Sequence, residues 1–454
     1  MNWNRNNWQD IYKNMSPEMR EQVMAMAKAK IKEKILHWLS QPILIIASIF
    51  IGAIVGSLVA FFGQVLLYVG AIRDAHPVYW IPALALSGIA IVACYKKFGK
   101  GCEHGMNTVF AVAHGKESNI PLRLIPLVAV CTWVTHLFGG SSGREGVAMQ
   151  IGGAFGQNIS KKIPVENASR ILLVAGMAAG FAGLFQTPLA AIALALEVLL
   201  VGHLELSALL PSTVAAFTAC KVSGMLGISR PSIHLVDFAP DGTFMGLMGS
   251  EGGLDIYFIL KLAVLGILFG IVGGLFAKGL AATKSFVAKK FPNPIKRVAV
   301  LGIIISVLLL IFDQGRYSGL GTNLIDICFA SADSVDIFST NPDIYRYDWI
   351  LKFALTILTL SAGFQGGELT PLFSIGATFG TAIATLVGVP FPLAAALGFT
   401  AVFGSATNTL LAPILIGGEI FGFDALPLFF IVCVVSYACN GGQSVYAQKK
   451  LRIK

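Results

Sequence analysis

The sequence predicts an all-α protein that crosses a membrane many times and is built from two related halves. Three observations predict this fold class: too little charge for a soluble coat, long uncharged apolar runs, and segments that recur at a nearly constant offset. Of the 454 residues only 13% are charged while 55% are hydrophobic, and the mean hydropathy is +0.74. Soluble domains average about 25% charged residues, so a chain this long could bury a core but could not cover one. No Asp, Glu, Lys or Arg lies between Lys34 and Arg73, and Pro77 to Tyr95 is equally free of them. Crossing a bilayer takes roughly 20 apolar residues. The first run spans with room for tilt, and the second just suffices.

Taken in order, the chain opens with a polar, amphipathic segment, 1–36, expected to form a helix along the cytoplasmic face. It is not a cleavable signal peptide, which would need an apolar stretch near the start. A first membrane repeat follows over 37–228, with apolar segments near 120–138, 146–159, 171–200 and 206–228. A Gly- and Asp-containing connection, 229–254, leads to a second repeat over 255–440. Its segments run 256–288, 295–312, 349–362, 371–388, 391–416 and 425–439. The closing stretch, 441–454, is read as a C-terminal helix. Many segments are too short to cross singly, and the 49 glycines suit close packing and broken helices.

The net charge of +9 is not a nucleic-acid footprint. Its basic residues sit at membrane flanks: Arg5, Lys13, Arg20, Lys28, Lys30, Lys32 and Lys34, then Lys96, Lys97 and Lys100, then Lys449, Lys450, Arg452 and Lys454. By the positive-inside rule these segments, and so both termini, are cytoplasmic. The seven cysteines are scattered without a C-x-x-C pair and read as small core residues, not disulfides or metal ligands.

The repeat rests on two matches. Gly176-Met-Ala-Ala-Gly…Thr187-Pro188-Leu189-Ala190…Glu197 parallels Gly398-Phe-Thr-Ala-Val…Leu410-Leu411-Ala412…Glu419, with glycine and glutamate 21 residues apart in both and an offset of 222. Ile151-Gly-Gly-Ala-Phe-Gly156 matches Ile375-Gly-Ala-Thr-Phe-Gly380 at offset 224. Interrupted helices at matching places in two halves point to a transport site at the membrane midplane.

A polar, glycine-rich loop precedes each matched helix. One reads Gly139-Gly-Ser-Ser-Gly143-Arg144-Glu145-Gly146-Val147, the other Gly363-Phe-Gln-Gly-Gly367-Glu368-Leu369-Thr370-Pro371. Helix starts present free N–H groups and the positive end of a dipole, which together bind anions. No Gly-Lys-Ser/Thr follows either loop, so these are not nucleotide-binding P-loops. Glu145 and Glu368 are the informative residues, because ionisable groups in a membrane are costly and functional by default. A carboxylate at a helix start can fill an anion site and leave it on protonation, which couples anion and proton movement through one competition. The plainer role is N-terminal capping. Glu197 and Glu419, at the ends of the repeated helices, are read as structural groups, with proton carriage as the alternative. His104, His114 and His136 lack metal-ligand spacing and are read as loop or packing residues. Tyr446 could donate its O–H to an anion, or anchor the interface as many tyrosines do. No nucleophile–base pair or metal cluster suggests a membrane-embedded enzyme, and no cofactor is implied.

From Gly143-Arg-Glu145-Gly onward the sequence resembles the CLC family of chloride channels and anion/proton antiporters. The similarity covers about 40–450 and includes the Phe185-Gln-Thr-Pro188-Leu-Ala segment, the Gly366 to Pro371 helix start and the terminal stretch with Tyr446. The resemblance implies a homodimer of inverted repeats made of tilted and broken helices, with a separate anion pathway in each subunit. It makes Glu145 the gating glutamate and Tyr446 a tyrosine of the inner anion site. It also places Gly143, Arg144, Gly146, Val147, Leu369 and Thr370 around the anion. The cytoplasmic CBS modules of many relatives are not expected. Departures narrow the branch. Val147 stands where most members have proline, and Glu103-His-Gly-Met106-Asn107 replaces a serine-bearing loop. Only Glu197, followed by Val198, occupies a place where chloride antiporters often carry two glutamates, and Glu368-Leu369 replaces a hydrophobic pair. This combination is similar to the bacterial fluoride/proton antiporters, in which the residue matching Glu368 serves proton transfer and those matching Met106, Thr370 and Tyr446 line the fluoride path. The implied function is fluoride/proton exchange across the cytoplasmic membrane, exporting fluoride. The alternative is a chloride/proton antiporter or a passive chloride channel.

Overall fold

The computed structural model describes residues 16–102, 105–230, 233, 256–330 and 339–450. Eight main helices lie in each half of these residues, and they correspond one to one. In the first half they are α1 (Pro17–Ala75), α2 (Leu84–Phe98), α3 (Met106–Ala113), α4 (Leu124–Leu137), α5 (Glu145–Ser160), α6 (Ala168–Phe185), α7 (Pro188–Glu197) and α8 (Leu209–Met225). In the second they are α9 (Ile256–Lys290), α10 (Pro294–Ile311), α11 (Thr322–Ala330), α12 (Asp348–Ala362), α13 (Leu369–Val387), α14 (Phe391–Thr407), α15 (Leu411–Phe421) and α16 (Leu426–Ala438). Seven helical stretches are long and apolar enough to cross a membrane, among them Leu39–Ala75 and Ile256–Lys290. The protein is a multi-pass membrane protein.

The same neighbours pack in both halves: α5 on α6 as α13 on α14, α6 on α8 as α14 on α16, and α1 on α8 as α9 on α16. The residues of the repeated motifs make the first of these pairs. At the α5–α6 crossing Gly152 lies against Gly176, and at the α13–α14 crossing Gly376 lies against Gly398. A side chain on any of the four would meet the facing glycine's carbonyl. The glycines therefore set how closely these helices approach. Replacing Gly176 with Ala is expected to cost at least about 1–3 kcal/mol, the usual penalty of overpacking a core. Thermal unfolding in detergent checks this. Gly70→Ala, where a methyl meets nothing within 4 Å, is the matched control and should unfold no earlier than wild type.

Two expectations change. The 1–36 segment was expected as a separate surface helix, yet from Pro17 onward its residues run without interruption into the first span as part of the 59-residue α1. Ser16 caps the start, its hydroxyl accepting from Met19 N–H at 3.3 Å, and Pro17 takes the first-turn place. No glycine or proline then interrupts the Ala-, Lys- and Met-rich sequence before Pro42. The second change is at the C-terminus, where the described part of 441–454 contains no helix. Gly441 and Gly442 take left-handed φ values of 66° and 65°, which ends the helical path after α16. The backbone beyond them is held by the end of α14. Val445 N–H donates to Ala406 O at 2.9 Å, and the Gln448 amide donates to Thr407 O at 3.0 Å. Lys449–Lys450 (β2) then pairs in parallel with Leu200–Val201 (β1). The connection 229–254 lies almost wholly outside the described residues, as do Glu103 and His104.

Candidate functional site

The loops preceding α5 and α13 meet at one point. Gly143 and Gly367 exchange both backbone hydrogen bonds as an isolated antiparallel bridge: Gly143 N–H donates to Gly367 O, and Gly367 N–H donates to Gly143 O at 2.7 Å. These two glycines are 224 residues apart, the offset of the repeated motif. Equivalent residues that bond reciprocally place the two-fold relation between the halves at this bridge. The two helix starts thus face each other across it.

The same register assigns the charges. Glu145 is the first residue of α5, and its counterpart is Leu369, the first of α13. Glu368 is the N-cap of α13 and corresponds to Arg144, not to Glu145. Similar loops therefore carry opposite charges at the cap.

Glu145 is fully buried. Its Oε2 accepts a hydrogen bond from the Thr370 hydroxyl in the other half and one from its neighbour's Arg144 N–H at 3.3 Å. Arg144 Nε stands 3.5 Å from Oε1, an ion pair without hydrogen-bond geometry. The carboxylate therefore reaches over the bridge onto the opposing helix start. Beside Gly146 are Tyr446 and Glu368. A methyl group at Gly146 would stand 3.9 Å from Tyr446 Oη and 4.0 Å from Glu368 Oε2. The Tyr446 hydroxyl is buried and makes no hydrogen bond among the described residues. Its ring stacks on Phe110 with centroids 5.4 Å apart. Met106 stands one turn before Phe110 on α3, hence on the same face. Val147, Leu369 and Thr370 are buried alongside.

Glu197 and Glu419 do not join this cluster. Glu197 ends α7 and accepts the N–H groups of Leu410, Leu411 and Ala412 at the start of α15. Glu419, on α15, accepts those of Leu189 and Ala190 at the start of α7, at 3.1 and 2.9 Å. Each half thus caps a helix of the other with a carboxylate, which agrees with the structural role read from their matched spacing. His114 caps the end of α3 and reaches Leu199 O at 3.0 Å.

Sequence reasoning missed the residues that hold the first loop. Ser141 N–H donates to Thr359 Oγ1 at 3.2 Å, and its hydroxyl pairs with that of Thr356 at 2.9 Å. Ser142 N–H donates to Gly319 O at 3.2 Å, and the fully buried Lys352 Nζ donates to the same oxygen at 2.8 Å. The contacts of Ser141 and Ser142 join segments more than 170 residues apart, and no local pattern announces them.

The model of the family described as voltage gated chloride channel matches residues 87–441. The chain belongs to the voltage gated chloride channel family. Among CLC relatives, a chloride/fluoride channel protein of Pseudomonas syringae pv. tomato is 34% identical over 387 residues, covering 84% of this chain and 80% of the relative. The H(+)/Cl(-) exchange transporter ClcA of Salmonella schwarzengrund is 26% identical over 369 residues, covering 76% and 74%. The crystal structure of a CLC-type fluoride/proton antiporter superposes with a TM-score of 0.83 at 46% identity, covering 90% of this chain and 98% of the other. That of a slow cyanobacterial Cl−/H+ antiporter superposes at 0.71 with 23% identity, covering 89% and 96%, which bears on the CLC fold alone.

Proposed function

We propose that this chain exchanges fluoride for protons as a secondary active transporter of the bacterial cytoplasmic membrane. It works as a lipid-embedded homodimer with both termini cytoplasmic and an anion pathway in each subunit. The observation that carries the reading is the seat of the Glu145 carboxylate on Thr370, with Glu368 and the free Tyr446 hydroxyl beside Gly146. Likeness to a CLC-type fluoride/proton antiporter at 46% identity supports it.

On this reading Glu145 competes with the anion for the donors of the two helix starts. Protonation removes its charge and weakens its hold on Thr370, and the anion then takes its place. Glu368 supplies the second protonatable group on the inward route. Gly143, Arg144, Gly146, Val147 and Leu369 shape the site, and the hydroxyls of Thr370 and Tyr446 donate to the anion. Fluoride is smaller than chloride and holds its water more tightly, so it needs such close, well-aimed donors. Glu197 already accepts three backbone N–H groups, which argues against its acting as the inner proton relay of a chloride antiporter.

Purified protein in liposomes, loaded with fluoride or chloride and read with anion electrodes and a pH probe, tests the proposal. Fluoride efflux coupled to opposite proton movement is expected. Efflux without proton movement would indicate a channel, and a preference for chloride would favour the alternative.

Met106 is proposed to bias the pathway against chloride. Methionine has no donor and only a weak acceptor, so the inner part of the path offers chloride a poor resting place. Met106→Ser is expected to raise chloride transport relative to fluoride several-fold without unfolding the protein. Paired efflux assays measure the ratio. An unchanged ratio in a variant that still transports would leave Met106 as packing.

A further inference from the structure

Gln150 stands in the second turn of α5, one turn after Gly146, so the two lie on one face of that helix. Gly146 borders Tyr446 and Glu368. Farther along the same face, a methyl group at Gly153 would stand 3.3 Å from Val109 of α3. Between these points, a methyl group at Gly105, the N-cap of α3, would stand 3.5 Å from Gln150 Oε1. Met106 follows Gly105 directly. The amide is therefore set where the face of α5 beside Tyr446 meets the start of α3.

A glutamine that only braces the fold is satisfied, as Gln157 on the same helix shows. Its Oε1 accepts from Ile120 N–H at 3.3 Å, and its Nε2 donates to Ser118 O at 3.2 Å. Gln150 is 6% exposed, yet its buried Oε1 accepts no hydrogen bond among the described residues. Leaving a buried polar group unpaired costs stability, and native proteins rarely do so. The last torsion of a glutamine has two nearly equivalent settings, so the amide of Gln150 can turn either end to something that enters.

We propose that Gln150 is a ligand of the transported fluoride, its amide N–H donating to the ion between Tyr446 and the start of α3. The unpaired Tyr446 hydroxyl is the neighbouring donor. Fluoride, the smaller ion, approaches an N–H more closely than chloride does and gains more from it. Met106 offers no donor, and Gln150 brings one from α5. Being uncharged, the amide replaces lost water without the grip of a full cation, which would slow release.

Fluoride and chloride titrations of the purified protein, followed by calorimetry, measure this. Gln150→Met keeps the length of the side chain and removes its donors. Fluoride binding should weaken about tenfold, the loss of one hydrogen bond to a charged group, while chloride binding changes about twofold at most. The variant should unfold no earlier than wild type, because an unpaired buried group is removed. Gln150→His, which restores a ring N–H, should recover most of the fluoride affinity. Unchanged fluoride binding in Gln150→Met, or equal losses for the two anions, would overturn the assignment.

A second measurement needs no variant to fold. In 15N-glutamine protein saturated with fluoride, solid-state NMR should find one side-chain amide nitrogen in dipolar contact with 19F. The role of Gln150 depends on the fluoride pathway proposed above, and the two fail differently. Wild type that binds no fluoride would refute the pathway itself. Wild type that binds fluoride with no glutamine amide touching it would refute Gln150 alone.

Discussion

Replacing Glu145 with Gln is expected to abolish proton-coupled exchange, reducing proton movement to that of protein-free liposomes while leaving an anion flux indifferent to pH. The substitution keeps the shape of the side chain and removes its charge, imitating the protonated state permanently. The wild-type carboxylate is fully buried and accepts from Thr370 and from the Arg144 N–H. Hydrogen bonds to charged groups are worth about 1.5–3 kcal/mol each, roughly twice neutral ones. A neutral amide therefore competes far less well for the same donors, and the anion meets an open site. Arg144 is 14% exposed, so losing its acidic neighbour does not strand a dry cation, and the fold should survive. Parallel fluoride and proton recordings on purified Glu145→Gln protein decide the matter. Intact coupling in the variant would end the assignment of Glu145 as competitor.

Glu368→Gln is expected to lose coupling as completely, for a different reason. The carboxyl lies beside Gly146 and Tyr446. A proton passing between Glu145 and the cytoplasm needs a resting place there. Val198 supplies none, and Glu197 is occupied at the start of α15. Glu197→Gln is the contrasting variant. It should keep coupling but lose stability, by about 1–2 kcal/mol for a weakened helix cap. Proton-to-fluoride ratios and thermal unfolding, measured on both variants, separate the two roles. Coupling lost with Glu197→Gln and kept with Glu368→Gln would reverse the assignment.

Much of this was legible in the sequence because it depends on spacing. The charge-free runs gave the spans, since a bilayer demands a minimum apolar length. The 21-residue separation of Gly176 from Glu197 and of Gly398 from Glu419 marked equivalent places, and those glutamates cap one another's helices. The 224-residue offset of the Gly152 and Gly376 motifs also relates the bridged pair Gly143 and Gly367. What stayed hidden depends on the third dimension. The glycines at 441 and 442 allow a turn but do not say that α14 will capture the chain beyond it, so a helix seemed natural for Tyr446. The stacking of Phe110 on Tyr446 joins residues that no periodicity relates. The matched loops also suggested a glutamate in the same role at each helix start. Their alignment by one residue, Arg144 with Glu368, emerges only where the bridge fixes the register.

The reciprocal bond between Gly143 and Gly367 also restricts the kind of machine this can be. A transporter that opens alternately to either side by rocking its halves needs a seam that parts next to the cargo. Here the halves are stitched together at that place by two backbone bonds, which would have to break together in every cycle. The cheaper cycle leaves the frame standing and moves a single side chain past it. With Glu145 as the competitor proposed above, gate and cargo share one space in turn, and the work of switching sides falls to a carboxyl group changing its charge.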